Sequence, residues 1–315
     1  MSELNALPPC ALAIGNFDGV HLGHQALLAA TAQYAEQHDL LPAVLTFDPH
    51  PTHIVAPQRV PPMICSLAER VRLLEERGMG QVYVLPFTHE LAALTPREFV
   101  ARILAEKLSA KAVFVGENFC FGAQKAGTPD VLRALSAEFG FIPHFLPPVR
   151  YRREIVSSSA VRKYLSEGRV SHANRLLHRC FSLVGPVVSG YGIGSKQTVP
   201  TLNLRPEANQ LVPRGVYVTE TSEASTGRRW QSITNAGIRP TFEGKELTVE
   251  TFLLSPFEEP TPTNIRVEFR RFVRPEQQFP DPGSLKAQIL RDVRRAQAYW
   301  RHVSYKAIPS IDVDA

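Results

Sequence analysis

The chain has 315 residues, of which 44% are hydrophobic and 21% are charged. This composition supplies enough apolar material for packed cores and excludes a disordered chain, and the length predicts two domains of about 100–200 residues each. The formal net charge of +5 is spread along the sequence, which suits anionic small molecules better than a dedicated nucleic-acid surface.

Short apolar runs alternate with amphipathic segments through the first half of the chain. Ser66 with Glu69 and Thr95 with Glu98 have the spacing of capping boxes at two helix starts. The predicted strands span 11–16, 43–47, 81–85, 111–115 and 141–146, and the predicted helices span 23–38, 66–77, a segment from 95, 128–140 and 159–167. Strands that alternate with helices of this length predict a parallel sheet covered on both faces.

The pattern changes after about Leu177. The predicted strands there are short and closely spaced, at 185–189, 215–221, 230–238, 247–254 and 264–273, which indicates a small antiparallel barrel. Residues 284–300 then repeat apolar side chains at helical spacing, so we predict a terminal amphipathic helix. We therefore divide the chain into residues 1–180 and 181–315.

Three glycines and two histidines follow the first predicted strand. Gly15, Gly19 and Gly23 allow close backbone approach, and the start of the next helix offers unpaired N–H groups to a phosphate. His21 and His24 are three residues apart and can face one ligand. Such a pair is more often an ordinary surface or metal-binding feature. The glycines and the strand-to-helix position nevertheless favour stabilisation of a phosphate that gains charge in a transition state.

Residues 15–24 resemble the HxGH nucleotidyltransferase signature. In the longer form GNFDGVHxGH they resemble the bacterial bifunctional riboflavin kinase/FMN adenylyltransferase (FAD synthetase) family. Residues 46–51, 116–122 and 156–162 resemble three further motifs of that family, although Asn118 stands where the family usually has Asp. The resemblance implies an α/β chain with a Rossmann-like nucleotidyltransferase domain built on a parallel sheet. A small antiparallel, riboflavin kinase-like β-barrel with a terminal helix would follow.

Candidate site residues of the first domain lie in these motifs. Ser157, Ser158 and Arg162 open a predicted helix, where two hydroxyls and a guanidinium would grip the outer phosphates of a nucleotide, although one serine is expected to cap the helix. Asp48 is the candidate on the flavin side and would act through magnesium or a sugar hydroxyl, unless it only forms an Asp-Pro turn. The predicted catalytic residues are His21, His24 and Arg162, and the predicted nucleotide-binding residues are Gly15, Asn16, Phe17, Asp18, Gly19, Asn118, Ser157 and Ser158.

Residues 192–203 resemble the riboflavin kinase loop that ends in a PTAN motif. The resemblance assigns Thr201 and Asn203 to the magnesium and phosphate of ATP, with the Thr201 hydroxyl as metal ligand, and both offer the hard oxygen atoms that magnesium prefers. Gly192 and Gly194 would form a backbone cradle for phosphate, although Gly-x-Gly alone usually marks a turn. Residues 195–199 depart from the family pattern.

Two later segments, 235–242 and 249–254, resemble the family's NxGxRPTF and VETHLLDF motifs. Glu250 lies between apolar neighbours on a predicted strand. The resemblance makes it the general base of the kinase, while a solvated outward-facing glutamate is the alternative. Arg239 would contact flavin or phosphate, and an exposed arginine at a strand end is equally compatible with the pattern.

The resemblance implies an enzyme that phosphorylates riboflavin to FMN with ATP and then adenylylates FMN to FAD, releasing pyrophosphate. The expected cofactor is Mg²⁺, with ATP as substrate and no tightly bound organic cofactor. Riboflavin, FMN, FAD and ATP are the expected partners, and the expected state is a monomer or weak homo-oligomer. Two alternatives are a monofunctional FMN adenylyltransferase with an inactive flavin-binding barrel and a non-enzymatic flavin-binding regulator.

The sequence also predicts a cytoplasmic protein that binds neither membrane nor nucleic acid. No run approaches the roughly 20 apolar residues that a membrane span needs, and residues 1–9 contain no basic residue of the kind that opens a secretory signal. The cysteines lack metal-binding or redox spacing, which is typical of a reducing compartment. They are Cys10, Cys65, Cys120 and Cys180.

Overall fold

The computed structural model describes residues 7–188, 201–223, 225–241, 244–255 and 260–303, with no side-chain description for 238–241 and 244–246. These residues form two units. The first holds the described residues up to Arg162 together with Leu176–His178, and the second holds Lys163–Arg175 and the described residues from Arg179 onward. Within these ranges, no helix is both long and apolar enough to cross a membrane.

In the described part of the first unit, five parallel strands form one sheet in the order β3-β2-β1-β4-β5. They are β1 (Cys10–Ile14), β2 (Leu41–Asp48), β3 (Gln81–Pro86), β4 (Ala110–Gly116) and β5 (Ile142–Leu146). The central strand β1 is buried along its whole length, as expected for a strand paired on both sides and covered on both faces. The chain order reverses between β1 and β4, which is where ligands bind in open parallel sheets.

Helices cover both faces of this sheet, as the sequence predicts. Alternate residues of β1 serve two cores: Leu12 packs in one with Leu104, and Ala13 packs in the other with Leu28 and Leu74. The helices of the first unit are α1 (Leu22–Gln37), α2 (Thr52–Val55), α3 (Leu67–Glu75), α4 (His89–Ala93), α5 (Pro96–Phe99, continued by a π-helix over Val100–Lys107) and α6 (Pro129–Phe139). Helices α7 (Ser158–Ser166) and α8 (Val170–Leu177) follow, and residues 163–175 of these two belong to the second unit. A short hairpin of β6 (Arg150–Tyr151) and β7 (Glu154–Ile155) precedes α7.

Local capping signals determine where two of these helices begin. At α5 the Thr95 hydroxyl accepts a hydrogen bond from the backbone N–H of Glu98, and the Glu98 carboxylate accepts one from the N–H of Thr95, so the predicted capping box is confirmed. At α3 the Ser66 hydroxyl accepts a hydrogen bond from the N–H of Glu69 at 3.1 Å, while the Glu69 carboxylate binds Arg72 at 2.8 Å. Helix α8 is not among the predicted elements.

The second unit contains a closed antiparallel barrel, which confirms the predicted fold class. In its described residues six strands follow one another around the barrel in the order β10-β11-β12-β9-β8-β13. They are β8 (Phe181–Val188), β9 (Thr201–Leu204), β10 (Gly215–Glu223), β11 (Arg229–Thr241), β12 (Gly244–Leu253) and β13 (Asn264–Arg274). Each of these strands has a hydrogen-bonded neighbour on both sides over at least part of its length, as closure of a barrel requires.

The terminal helix α9 (Pro282–His302) packs against the outside of the barrel. Ala296 of this helix is fully buried in a cluster with Val216, Val218 and Ile233 of the barrel strands. The carboxylate of Asp292 is also buried and pairs with Arg274 at 2.8 Å. The predicted amphipathic helix is thus present and uses its apolar face as the sequence indicates.

Candidate active sites

The loop between β1 and α1 turns sharply at the carboxyl edge of the sheet. Phe17, Gly19 and Val20 have positive φ angles of 49°, 81° and 41°. A β-carbon on Gly19 would lie 2.9 Å from Ile64, so this position needs glycine both for its backbone angle and for space. Phe17 is fully buried, and its ring contacts that of His24 at a centroid distance of 5.1 Å. Phe17 therefore supports a predicted catalytic side chain from the protein interior.

His21 and His24 stack at the start of α1, with ring centroids 3.7 Å apart and planes 13° from parallel. His21 caps the helix, because its Nδ1 accepts a hydrogen bond from the backbone N–H of His24 at 3.3 Å. A ring nitrogen that accepts is unprotonated, so a neutral His21 carries its proton on Nε2 as a donor. A β-carbon on Gly23 would lie 3.1 Å from the His21 ring, which explains the glycine between the two histidines.

Asp18 anchors this loop from inside the protein. Its side chain is 1% exposed, and its carboxylate accepts hydrogen bonds from the backbone N–H groups of Ile64 at 3.0 Å and Cys65 at 3.3 Å. The carboxylate also pairs with the guanidinium of Arg162 at 2.5 Å. Asp18 is predicted from the sequence to bind nucleotide, whereas in the structure its carboxylate is engaged by protein groups and holds Arg162.

The start of α7 is fastened to the same loop. The Ser157 hydroxyl accepts a hydrogen bond from a backbone N–H three residues later at 3.2 Å, which is the helix cap expected of one of the serines. The Ser158 hydroxyl donates to the backbone carbonyl of Asp18 at 2.9 Å. Arg162 follows one turn later and donates to the carbonyl of Pro62 at 2.9 Å. Ser158 and Arg162 therefore contact the loop that leads to the histidines, while Ser157 caps α7, the helix that carries Ser158 and Arg162.

The end of β2 contributes a second group of polar side chains. Asp48 is 46% exposed and pairs with Arg70 at 3.4 Å. The side-chain amide of Asn16 lies 3.3 Å from Nε2 of His50, and the Asn16 carbonyl accepts a hydrogen bond from Arg70 at 2.8 Å. Burial, together with the positive charges of Arg162 and Arg70, lowers the pKa of His50 to about 4. His50 is therefore neutral at physiological pH.

Arg70 and His50 are not among the site residues predicted from the sequence. Arg70 carries a signal that points to it, because it is a charged residue on the buried face of α3, beside Leu73 and Leu74. His50 belongs to the segment 46–51 that resembles a family motif, but the sequence analysis selects only Asp48 there.

Two further predicted residues lie at the same edge of the sheet. Gly15 continues β1 and donates its backbone N–H to the carbonyl of Leu45 at 3.1 Å. Asn118 lies in an exposed turn just after β4. Because parallel strands end at a common edge, Asn118 lies at the carboxyl edge of the sheet, across the switch point from Asp48.

In the second unit, Glu250 on β12 is directly opposite Asn203 on β9 and Asn235 on β11. Residues directly opposite each other on neighbouring strands project to the same face of a sheet, so these three side chains form one row across three strands. Thr201 is opposite Phe252 in the next such row. All five are on the outer face of the barrel, where Phe252 packs in the cluster that α9 covers.

Thr201 and Asn203 also line a cleft of about 390 Å³, together with Val187, Val188 and residues 261–263. A hydroxyl and an amide oxygen on the wall of this cleft fit a magnesium ion that takes its other ligands from phosphate and water. Among the residues that the structure describes, no group of three or more His, Cys, Asp or Glu side chains could hold a metal ion.

Three predicted site residues fall wholly or partly outside the described residues. Gly192 and Gly194 lie in the undescribed segment 189–200, which also contains the unusual stretch 195–199. The backbone of Arg239 belongs to β11, opposite Glu246, but its side chain lies outside the description.

Comparison with known proteins matches each half of the chain to a family model. Residues 4–160 match FAD synthetase, and residues 177–300 match riboflavin kinase. The bifunctional riboflavin kinase/FMN adenylyltransferase of Escherichia coli is 34% identical over 92% of this chain and 93% of its own. The protein of the same name from Haemophilus influenzae is 31% identical over 93% of this chain and 95% of its own.

A solved structure resembles the whole chain. The crystal structure of a macrolide-efflux protein from Streptococcus pneumoniae superposes with a TM-score of 0.82 at 27% identity, covering 93% of this chain and 95% of the other. The family matches cover both halves, which supports the bifunctional interpretation over the monofunctional alternative. The chain therefore belongs to the bifunctional riboflavin kinase/FMN adenylyltransferase family and carries both of its enzymatic domains.

Proposed function

We propose that the two reactions are divided between residues 1–180, which adenylylate FMN to FAD, and residues 181–315, which phosphorylate riboflavin to FMN. The proposal depends chiefly on one observation: the stacked pair of His21 and His24 lies beside the loop that Arg162 and the Ser158 hydroxyl also contact. This arrangement is at the carboxyl edge of a parallel sheet, beside a helix start, where phosphate binding is favoured.

In adenylyl transfer the phosphate of FMN attacks the α-phosphorus of ATP and pyrophosphate leaves. No protein nucleophile is needed, because positioning and electrostatic stabilisation supply the rate. His21 donates from Nε2, and His24 stacked beside it donates to the same developing charge. Arg162 supplies a fixed positive charge, held in orientation by the buried carboxylate of Asp18.

Other residues of this edge bind the two substrates. The nucleotide lies along the backbone of residues 15–19 and the start of α7, with Asn118 on the opposite side of the switch point. Asp48 faces the flavin substrate, and its exposure of 46% leaves the carboxylate accessible to a hydroxyl. The side chains of Phe17 and Asp18 support this site from the interior.

In phosphoryl transfer Glu250 accepts the proton of the riboflavin 5′-hydroxyl as that oxygen attacks the γ-phosphorus of ATP. Thr201 and Asn203 would hold the nucleotide phosphates and Mg²⁺, which would supply positive charge for the transferred group. The shared row of Glu250 and Asn203 supports this assignment, since a carboxylate and an amide on the same face of neighbouring strands can act on one substrate. Gly192, Gly194 and Arg239 complete the site in this proposal, as phosphate cradle and flavin contact.

A coupled assay tests the division of labour. Riboflavin, ATP and magnesium are supplied, and riboflavin, FMN and FAD are separated over time. The double variant His21→Ala/His24→Ala should form FMN but no FAD. Glu250→Gln keeps the shape of the side chain but cannot take the proton, so its kinase rate should fall by about 10²–10⁴-fold while FAD formation from supplied FMN stays normal.

Exposed residues of the same type serve as matched controls. His89→Ala in the first domain and Glu207→Gln in the second should leave both reactions unchanged, because both side chains are exposed and neither has a role in the proposed sites. Equal loss of both activities in a folded histidine variant would contradict separate sites. A kinase rate within about threefold of wild type in Glu250→Gln would show that Glu250 is not the base.

The proposal also includes a cytoplasmic location and a monomer or weak homo-oligomer. Cell fractionation and analytical ultracentrifugation of the full chain test these two expectations directly.

A further inference from the structure

Arg70 is a buried charge whose purpose the proposed mechanism does not explain. Its side chain is 1% exposed and lies on the face of α3 that also buries Leu73 and Leu74. Removing a guanidinium from water is costly unless its donors are well paired. The partners of Arg70 therefore indicate what the residue contributes.

The guanidinium joins the ends of two neighbouring strands. One terminal nitrogen, Nη1, donates to the carbonyl of Asn16 at 2.8 Å and lies 3.4 Å from the hydroxyl of Thr46. The other, Nη2, lies 3.4 Å from a carboxylate oxygen of Asp48. Asn16 belongs to the loop after β1 and Asp48 ends β2, so one rigid plane contacts both segments.

These contacts of Arg70 contribute little to the stability of the fold. The ion pair with Asp48 is long and 46% exposed on the carboxylate side, and Nε of Arg70 is buried with no hydrogen-bond partner among the described residues. Each partner also keeps another source of hydrogen bonds. The Thr46 hydroxyl donates to the Asn16 carbonyl at 3.2 Å, and water reaches the Asp48 carboxylate. An apolar side chain of similar length at position 70 would therefore leave no buried polar group without a hydrogen-bond partner.

We propose that Arg70 is a positioning residue for adenylyl transfer, holding Asn16 and Asp48 in one fixed relation so that the nucleotide and the flavin phosphate meet in line. The inference rests on the proposed function of this edge of the sheet, where Asn16 is on the nucleotide side and Asp48 on the flavin side. Arg70 touches neither reacting atom. It acts by fixing the distance between the two halves of the site, to which such reactions are sensitive.

The test compares three variants of the full chain in separate assays of the two reactions. Arg70→Met removes the charge and keeps the length, and Arg70→Lys keeps the charge but can reach only one of the two segments well. Arg77→Met is the matched control, because Arg77 is an exposed arginine just after the same helix.

For Arg70→Met we expect kcat/KM of FAD formation to fall by about 10–100-fold, with KM raised for both FMN and ATP. Riboflavin phosphorylation and the thermal midpoint of the first domain should match wild type. For Arg70→Lys, kcat/KM of FAD formation should fall between the values of wild type and Arg70→Met. For Arg77→Met it should equal the wild-type value. In an Asp48→Asn background the Arg70→Met change should have a smaller effect, since one of the segments that it positions is already altered.

Two outcomes would overturn the inference. One is an Arg70→Met enzyme with both KM values and kcat within about threefold of wild type. The other is a loss of FAD formation with unchanged KM values and a lowered thermal midpoint, which describes a structural residue that reduces the folded fraction. If wild type itself formed no FAD, the proposed function would fail. If His21→Ala/His24→Ala abolished FAD formation but Arg70→Met did not affect it, only the role of Arg70 would fail.

Discussion

Asp18→Asn is the change that best separates a buried anchor from a substrate ligand. The amide has nearly the same shape as the carboxylate, but it has one acceptor oxygen and no charge. In the native protein one carboxylate receives the N–H groups of Ile64 and Cys65 together with the guanidinium of Arg162. An amide that turns its oxygen to the two N–H groups presents its own donors to Arg162, and the opposite orientation leaves the two N–H groups unpaired.

The loss of unfolding free energy in Asp18→Asn can be estimated from those contacts. A hydrogen bond to a charged group contributes about 1.5–3 kcal/mol, and a buried donor without a partner costs about 1–3 kcal/mol. In either orientation the amide loses at least one hydrogen bond to a charged group and leaves at least one buried donor without a partner. Because Arg162 is 15% exposed and water offsets part of its loss, we expect the first domain to lose about 3 kcal/mol of unfolding free energy. For a domain of this size that corresponds to a thermal midpoint lower by about 6–12 °C.

The two tryptophans make the assay specific to each domain. Trp230 and Trp300 both belong to the second unit, so their fluorescence reports unfolding of the barrel. Circular dichroism at helical wavelengths reports both units. Asp18→Asn should lower the midpoint of the dichroism transition that belongs to the first domain. The transition seen by tryptophan fluorescence, which belongs to the barrel, should not move. Asp48→Asn is the matched control, because this aspartate at the same edge is 46% exposed, and it should change stability by less than about 1 kcal/mol.

A stability change below about 1 kcal/mol in Asp18→Asn would refute this reasoning, since a 1%-exposed carboxylate with three donors would then contribute no more than a surface group. If FAD formation were abolished in such a stable variant, Asp18 would act in the reaction rather than in stability, either on substrate, as the sequence-based prediction has it, or by orienting Arg162.

Three further predictions follow from single contacts. The pKa of His50 is lowered to about 4 in the folded state, so folding favours the neutral ring. The stabilisation that results is full above pH 6.5 and is lost as the pH falls from 6.5 to 4. Urea titrations should show this loss, about 2 kcal/mol after allowance for partial exposure, in wild type and not in His50→Gln. Gly23→Ala should slow FAD formation about tenfold, because the new β-carbon would lie 3.1 Å from the His21 ring and push the ring out of position. The same change should raise helix stability by up to about 1 kcal/mol. A normal rate of FAD formation would show that the position of the ring is not critical. Asp292→Asn should destabilise the barrel by about 2–4 kcal/mol in tryptophan-monitored unfolding, since it removes the buried negative charge that pairs with Arg274. A change under about 0.5 kcal/mol would make that pair equivalent to an ordinary surface contact.

Local patterns predicted much of the architecture. The apolar run at 11–16 predicted a strand, the spacing of Thr95 and Glu98 predicted a helix start, and the period of residues 284–300 predicted α9. These signals are readable because each depends on residues within a turn or two of one another. The motif that contains His21 and His24 is equally local, so its place between a strand and a helix is visible from the sequence.

The roles of individual polar residues depend on contacts between distant parts of the chain. Nothing near Asp18 in the sequence indicates that backbone groups 46 and 47 residues later and a guanidinium 144 residues later engage its carboxylate. Arg70 likewise joins Asn16 and Asp48 only because β1 and β2 are adjacent in the sheet.

In the barrel, the sequence by itself determined that strands and a glutamate are present, and it indicated a base only through resemblance. Tertiary structure decided which residues share a row with that glutamate. Strand register is set by closure of the whole barrel, and a slip of one residue would move Glu250 away from Asn203 and Asn235 to the opposite face. Pairing across strands is a property of the closed sheet rather than of any one segment, so only the folded chain reveals it.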